Sequence, residues 1–184
     1  LDRHVGTQPP TTSSVQLQAV RTSVLQERLR TISELELLAL LADKDNGLDE
    51  SIDASRCILV SYRQEKPPAP FDSLTLDGAA LRGILVAADN LGAEAIWLDA
   101  WCYRNGPGGY DHADFCRTLD GVLGGVSAVV WLPRTSQGSL GEYPYRLWCT
   151  FEAANVQQRG LHVAVAGAGM SRFQRRVRAD LVLL

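Results

Sequence analysis

The chain has 184 residues, 46% of them hydrophobic and 21% charged, with a formal net charge of −3. That length buries one good core and excludes two large domains. A slightly acidic chain offers no concentrated positive field for a nucleic-acid backbone or an anionic membrane, so neither is expected as a partner.

Residues 1–14 are polar, carry Pro9-Pro10 and read as a flexible tail or linker. From Val15 to Ala42 apolar residues recur at helical spacing (Val20, Val24, Leu29, Leu35, Leu38, then Leu41 or Ala42). This predicts one broken helix or two short ones ending near "DKDNG", a helical N-terminal extension over residues 15–50. Ser33 with Glu36 has the spacing of a capping box, with Ile32 and Leu37 as its staple. An α/β domain is expected over 51–184. "CILVSYR" is a β-rich apolar run, and "KPPAPFDS" is a proline-rich loop. Leu76–Gly92 has helix periodicity with a glycine stop. Ala93–Tyr103 carries the next strand and leads into the glycine-rich turn "RNGPGGYDH". "ADFCRTLDGVLGGV" reads as a helix, "SAVVWLP" as a strand and "RTSQGSLGEYP" as a loop. A helix starting around Pro144 contains "RLWCTFEAANV". "LHVAVAG" reads as a strand, and "SRFQRRVRADL" as a last helix that Ser171 caps.

Strands and helices thus alternate, and the strands are nearly continuous apolar runs. Both properties point to a parallel sheet covered on both faces. Such sheets bind ligands beyond the C-terminal ends of their strands. The expected rim comprises Ser61-Tyr62-Arg63, Asp99 through Arg104, Pro133-Arg134 and the loop before Tyr143.

Few residues in this chain suggest chemistry. The four cysteines form no CxxC pair and the three histidines are scattered, so no metal site is expected. Cys57 and Cys149 sit in or beside apolar runs, where free thiols act as small hydrophobes. This favours a reducing compartment. With no signal-peptide pattern and no run of about 18 apolar residues, a cytoplasmic location away from the membrane is expected. "VAGAG" lacks the third glycine of a dinucleotide fingerprint, and no Walker run is present. His112 ranks below the carboxylates. Arg172, Arg175, Arg176 and Arg178 read as a solvated helix face.

The carboxylates remain. On a helix Glu152 shares a face with Trp148 and Val156 and lies beside Cys149, at the border of a buried stripe. It is either a boundary glutamate that meets an arginine such as Arg146, or a carboxylate held beside a pocket with a shifted pKa. Asp99 closes a strand suited to burial, so it is either a rim residue or a cap for the next loop. Arg63 suits a phosphate or a carboxylate. Tyr62, Trp101 and Tyr103 offer stacking faces, or else fill the core.

"RLWCTFE" resembles the TIR domain family, whose third helix carries a tryptophan-cysteine-x-x-glutamate pattern matched by Trp148, Cys149 and Glu152. "ILVSYR" is similar to that family's opening strand, with Ser61, Tyr62 and Arg63 in register. The middle resembles the heterokaryon-incompatibility (HET) domain, itself regarded as TIR-like. There Leu91-Gly92 and the run Trp97 to Cys102 match a leucine-glycine pair and a tryptophan-leucine-aspartate-alanine-x-cysteine strand. These segments span roughly residues 57–170.

The resemblance implies a flavodoxin-like, three-layer TIR-like α/β fold around a central parallel sheet. In catalytic members it implies cleavage of NAD between nicotinamide and ribose, in immune or cell-death signalling. NAD is then a substrate and no cofactor is needed. Glu152 would be the catalytic carboxylate and the ring would stack on Tyr62 or Trp101. Arg63 or Arg104 would face the pyrophosphate. ADP-ribose or a cyclised form would be the product. Homo-oligomers or other TIR-like domains are the implied protein partners. The chain departs from the family in its proline-rich stretch from Glu65 to Ser73, in the glycines Gly106, Gly108 and Gly109, and in its N-terminal region from Val15 to Ala42. Many TIR domains only self-associate, so a non-catalytic interaction module is the rival reading. A nucleotide receiver that binds without cleaving is a third.

Overall fold

A computed structural model describes residues 15–43, 45–62, 76–104, 106–132 and 147–166, with backbone alone over 147–151. The polar tail, the proline-rich loop, the loop before Tyr143 and the last helix expected from the sequence lie outside these residues.

The first element departs from the expected helix. Gln16 and Gln18 are exposed while Leu17 and Ala19 are buried, and this alternation makes a strand, β1 (Gln16–Arg21). Helix α1 (Thr22–Arg28) follows, then α2 (Glu34–Ala42). The capping box forms as expected. Ser33 accepts from the Glu36 amide at 3.3 Å, and the Glu36 carboxylate accepts from the Ser33 amide at 2.8 Å. The core-facing residues of α2 are Leu37 and Leu41, whereas Leu35 is 73% exposed. Of the expected positions Leu41 is buried and Leu38 packs partly buried against the core, while Leu35 turns outward. After its first turn α2 carries only leucine and alanine, so spacing alone did not select a face.

Strand β2 (Asp49–Asp53) pairs antiparallel with β1, and β1 pairs antiparallel with β4 (Ala95–Trp97). The N-terminal segment therefore belongs to the same sheet as the rest. A short 3-10 turn (Ala54–Arg56) leads into β3 (Cys57–Tyr62). Helix α3 (Gly78–Asn90) is capped by Asp77, whose side chain accepts from the Ala80 amide at 2.8 Å. It ends as expected at Gly92, with φ of 64°. There the Ala93 amide reaches Ala88 O and the Gly92 amide reaches Asp89 O, which satisfies carbonyls the helix end would leave open.

Strand β4 is shorter than expected, because the chain turns into a one-turn helix, α4 (Asp99–Cys102). Helix α5 (His112–Gly125) is capped by Asp111 and leads to β5 (Ala128–Leu132). Helix α6 (Leu147–Arg159) leads to β6 (His162–Val165).

The six strands run in the order β2-β1-β4-β3-β5-β6, with β4, β3, β5 and β6 parallel to one another. The result is a mixed α/β fold with a central sheet flanked by helices. From β3 the chain steps one way to β4, then back across to β5 and on to β6. Right-handed crossovers consequently put α3 on one face and α5 and α6 on the other. Helix α2 packs on α3, α5 on α6, and α6 on β3. Every residue of β4 and β5 is buried, as a sheet covered on both sides requires. Residues at the C-terminal ends of β3 and β4, and α6 on the face beside them, converge on one rim.

Candidate functional site

Strand β3 is apolar until Ser61, which is 1% exposed and is the one polar side chain fully buried in the core among the described residues. A buried hydroxyl needs a partner. Ser61 donates to Oε2 of Glu152, which reaches across from α6. Glu152 is thus a carboxylate held against the central strand by Ser61, with a shifted pKa. Glu152 is half-buried and turned to the sheet, one helical turn before the buried Val156.

Its electrostatics follow from that placement. Burial penalises the charged form and is the largest influence. The Ser61 hydroxyl favours the carboxylate, and the Asp99 charge disfavours it. The balance raises the Glu152 carboxyl from an ordinary 4.5 to about 7. Near neutral pH this group exists in both protonation states, so it can give up a proton, take one, or meet a developing positive charge.

Asp99 stands at the first position of α4, directly beyond β4, and accepts from the Ala100 amide at 2.7 Å. The strand expected to end on this residue ends two residues earlier, yet Asp99 still lies at the rim and close enough to influence Glu152. Ser61, Glu152 and Asp99 are thus brought together. Tyr62, the last residue of β3, is half-buried, and strand alternation turns it to the face opposite Ser61.

Three expected binding residues are committed elsewhere. Trp101 is 1% exposed, because the turn of α4 swings its indole into the core, so it presents no stacking face. Tyr103 is 6% exposed; its hydroxyl donates to Asp114 at 3.1 Å and its ring meets Phe115 edge-on. Arg104 pairs with Asp49 at 2.8 Å and donates to the Trp101 carbonyl at 3.2 Å, which holds it toward the β2 edge. The sequence reads Trp101 and Tyr103 as parts of an extended strand and Arg104 as the start of the turn after it, and the one-turn helix redirects all three side chains. Arg63, Pro133 and Arg134 lie outside the described residues, as do the side chains of Trp148 and Cys149.

Cys57 and Cys102 are buried, and burial pushes their thiols up to about 11 and about 12. Such thiols are packing groups, as expected for Cys57. Among the described residues no three His, Cys, Asp or Glu side chains gather as a metal site, and no helix is long and apolar enough to cross a membrane. An open groove of about 590 Å³ lies between Leu29, Ile32, Leu35 and Arg82, on the α2–α3 side of the sheet and apart from Glu152.

Comparison with protein-family models, curated proteins and solved structures gives no match. The site is therefore read from its own chemistry.

The sequence reading passed over one rim residue, Tyr110. It is 59% exposed and stands between the glycine turn and the α5 cap. Its signal was available: an aromatic directly after Gly108-Gly109 has few neighbours to bury it.

Proposed function

We propose that this chain cleaves NAD or a related nucleotide between nicotinamide and ribose, with Glu152 as the catalytic carboxylate. One observation carries the reading: a carboxyl raised by burial is held by a buried serine at the C-terminal end of the central strand. The three motifs that resemble TIR and HET domains supply the substrate class. They fall on β3, on β4 with α4, and on α6. Counted within the parallel set, the order β4-β3-β5-β6 is 2-1-3-4, which supports the flavodoxin-like, TIR-like form of the fold.

Breaking the glycosidic bond sends its electron pair to the pyridinium nitrogen, so nicotinamide leaves neutral and needs no acid. Positive charge develops on the ribose, and an ionised carboxylate fixed beside it stabilises that charge. Arrival of the cationic ring itself favours the ionised form of Glu152. Water then adds to the anomeric carbon and loses a proton, giving ADP-ribose. If the adenine end arrives first, a cyclic product forms. NAD is consumed as substrate, and no cofactor enters. In this reading the chain acts in immune or cell-death signalling and works as a homo-oligomer or with other TIR-like domains.

A second reading has a specific observation in its favour. Trp101 and Arg104, which the resemblance would assign to the ring and the pyrophosphate, serve the fold instead. This suits an interaction module that keeps the surfaces without turnover. Nicotinamide release from NAD by the purified chain, compared with Glu152→Ala, separates the two. Release that depends on Glu152 supports cleavage, and absence of release at high protein concentration supports the module.

A further inference from the structure

The segment between α4 and α5 builds a small aromatic pedestal. The rings of Tyr103 and Phe115 meet edge-on with centroids 5.0 Å apart, and Tyr103 is pinned by its bond to Asp114 at 3.1 Å. Tyr110 rests on both, at 6.4 Å from Tyr103 and 6.1 Å from Phe115. The turn that delivers it is closed by a bridge between Gly106 and Gly109, and Gly109 has the φ of 88° that favours glycine. The next residue, Asp111, caps α5 through the Ala113 and Asp114 amides. Tyr110 is therefore held on its underside by the buried Tyr103 and the partly buried Phe115 and on both sides by fixed backbone, yet more than half of its surface is open.

Its position connects it to the site. Helix α4 begins where β4 ends, beside β3 and Ser61, and the Tyr103 amide that follows it donates to Asp99 O at 2.9 Å, so the ring on which Tyr110 rests is tied to Asp99. Burial, then Cys116 and Asp99, push the Tyr110 hydroxyl up, and Asp99 also acts on Glu152.

We propose that Tyr110 is a substrate-binding residue whose exposed ring receives the heteroaromatic base of a nucleotide held at Ser61, Glu152 and Asp99. This rests on the nucleotide reading above and supplies the stacking face that Trp101 does not offer. A tyrosine fixed in this way has little rotamer freedom left to lose, and a base buries apolar surface on it without needing a sequence-specific contact. The hydroxyl, 3.4 Å from His112 Nδ1, is not required for stacking.

The test is equilibrium binding of NAD to the full chain and to Tyr110→Ala, Tyr110→Phe and Tyr110→Trp, with nicotinamide release measured in parallel. Nicotinamide mononucleotide and AMP serve as separate probes of which base stacks. Tyr110→Ala is expected to weaken NAD binding about tenfold, the size of one lost base–aromatic contact. Tyr110→Phe and Tyr110→Trp retain affinity, and the thermal midpoint of each variant stays at the wild-type value. The probe whose base stacks loses affinity with the alanine variant, and the other does not. Equal affinity of wild type and Tyr110→Ala for all three ligands overturns the proposal, as does absence of binding by the wild type at millimolar ligand. Binding that depends on Tyr110 without nicotinamide release leaves it standing and removes the cleavage reading. Release with unchanged binding in Tyr110→Ala does the reverse.

Discussion

Replacing Glu152 by glutamine tests the burial of this carboxyl without reference to any substrate. Glutamine keeps the shape and can still accept from Ser61, but it never ionises. In the folded chain the carboxyl is raised from 4.5 to about 7, which corresponds to about 3 kcal/mol of bias against the charged form. The sign follows from linkage. A raised folded-state pKa means that the native state binds more protons than the unfolded state between the two values. The contribution of Glu152 is therefore fully present below about 4.5 and is lost as the pH rises through about 7. Wild type and Glu152→Gln should then have similar stability at pH 4.5. Toward pH 8 the variant should gain, to a limit of about 3 kcal/mol, or roughly 6–12 °C in thermal midpoint for a chain of this size. Urea unfolding of both proteins across pH 4.5–8.5 reads the difference directly and cancels all other titrating groups. A gap that stays constant over that range, or that favours wild type as the pH rises, would refute the burial argument.

The neighbours of Glu152 should move its titration in opposite directions. Ser61→Ala removes the hydroxyl that favours the carboxylate and should raise the value further, whereas Asp99→Asn removes a repelling charge and should lower it. Carbon-detected NMR titration of the Glu152 carboxyl separates the two, and shifts of the same sign would contradict the arrangement. In α5, a Cβ on Gly125 would stand 2.5 Å from the Ala54 Cβ, between two backbone-held groups that cannot both give way. Gly125→Ala should cost about 1–3 kcal/mol. Gly121, on the same helix with nothing within 4 Å, is the control, and Gly121→Ala should be neutral or stabilise by roughly 0.5–1 kcal/mol. Equal thermal midpoints for the two variants would remove the close approach of α5 to the 3-10 turn.

The alternation of apolar runs and capped helices made β3, α3, α5, β5 and β6 legible, because buried parallel strands and helix stops leave strong local signals. Strand β2 left almost none. As an edge strand it buries only Ile52, and "DESID" reads as polar loop. Strand β1 was hidden differently, since Val20 in the strand and Val24 in α1 happen to stand four residues apart and imitate a helix face. The alternation of Gln16, Leu17, Gln18 and Ala19 was the signal that mattered. At the site, Glu152 and Ser61 were legible because a carboxylate at the edge of an apolar stripe and a serine at the end of an apolar strand both need partners. Trp101, Tyr103 and Arg104 were not, because four residues of helix after β4 decide where their side chains go. No periodicity is expressed over so short a run.

The central claim concerns Glu152 and the nicotinamide–ribose bond. Purified wild-type chain and Glu152→Ala, both confirmed folded, are incubated with NAD at high protein concentration, and free nicotinamide is quantified over time. The account predicts release by the wild type and loss of at least about 100-fold in rate in the variant, the scale of a missing electrostatic stabiliser. Equal release from both proteins, or none from the wild type, would contradict it.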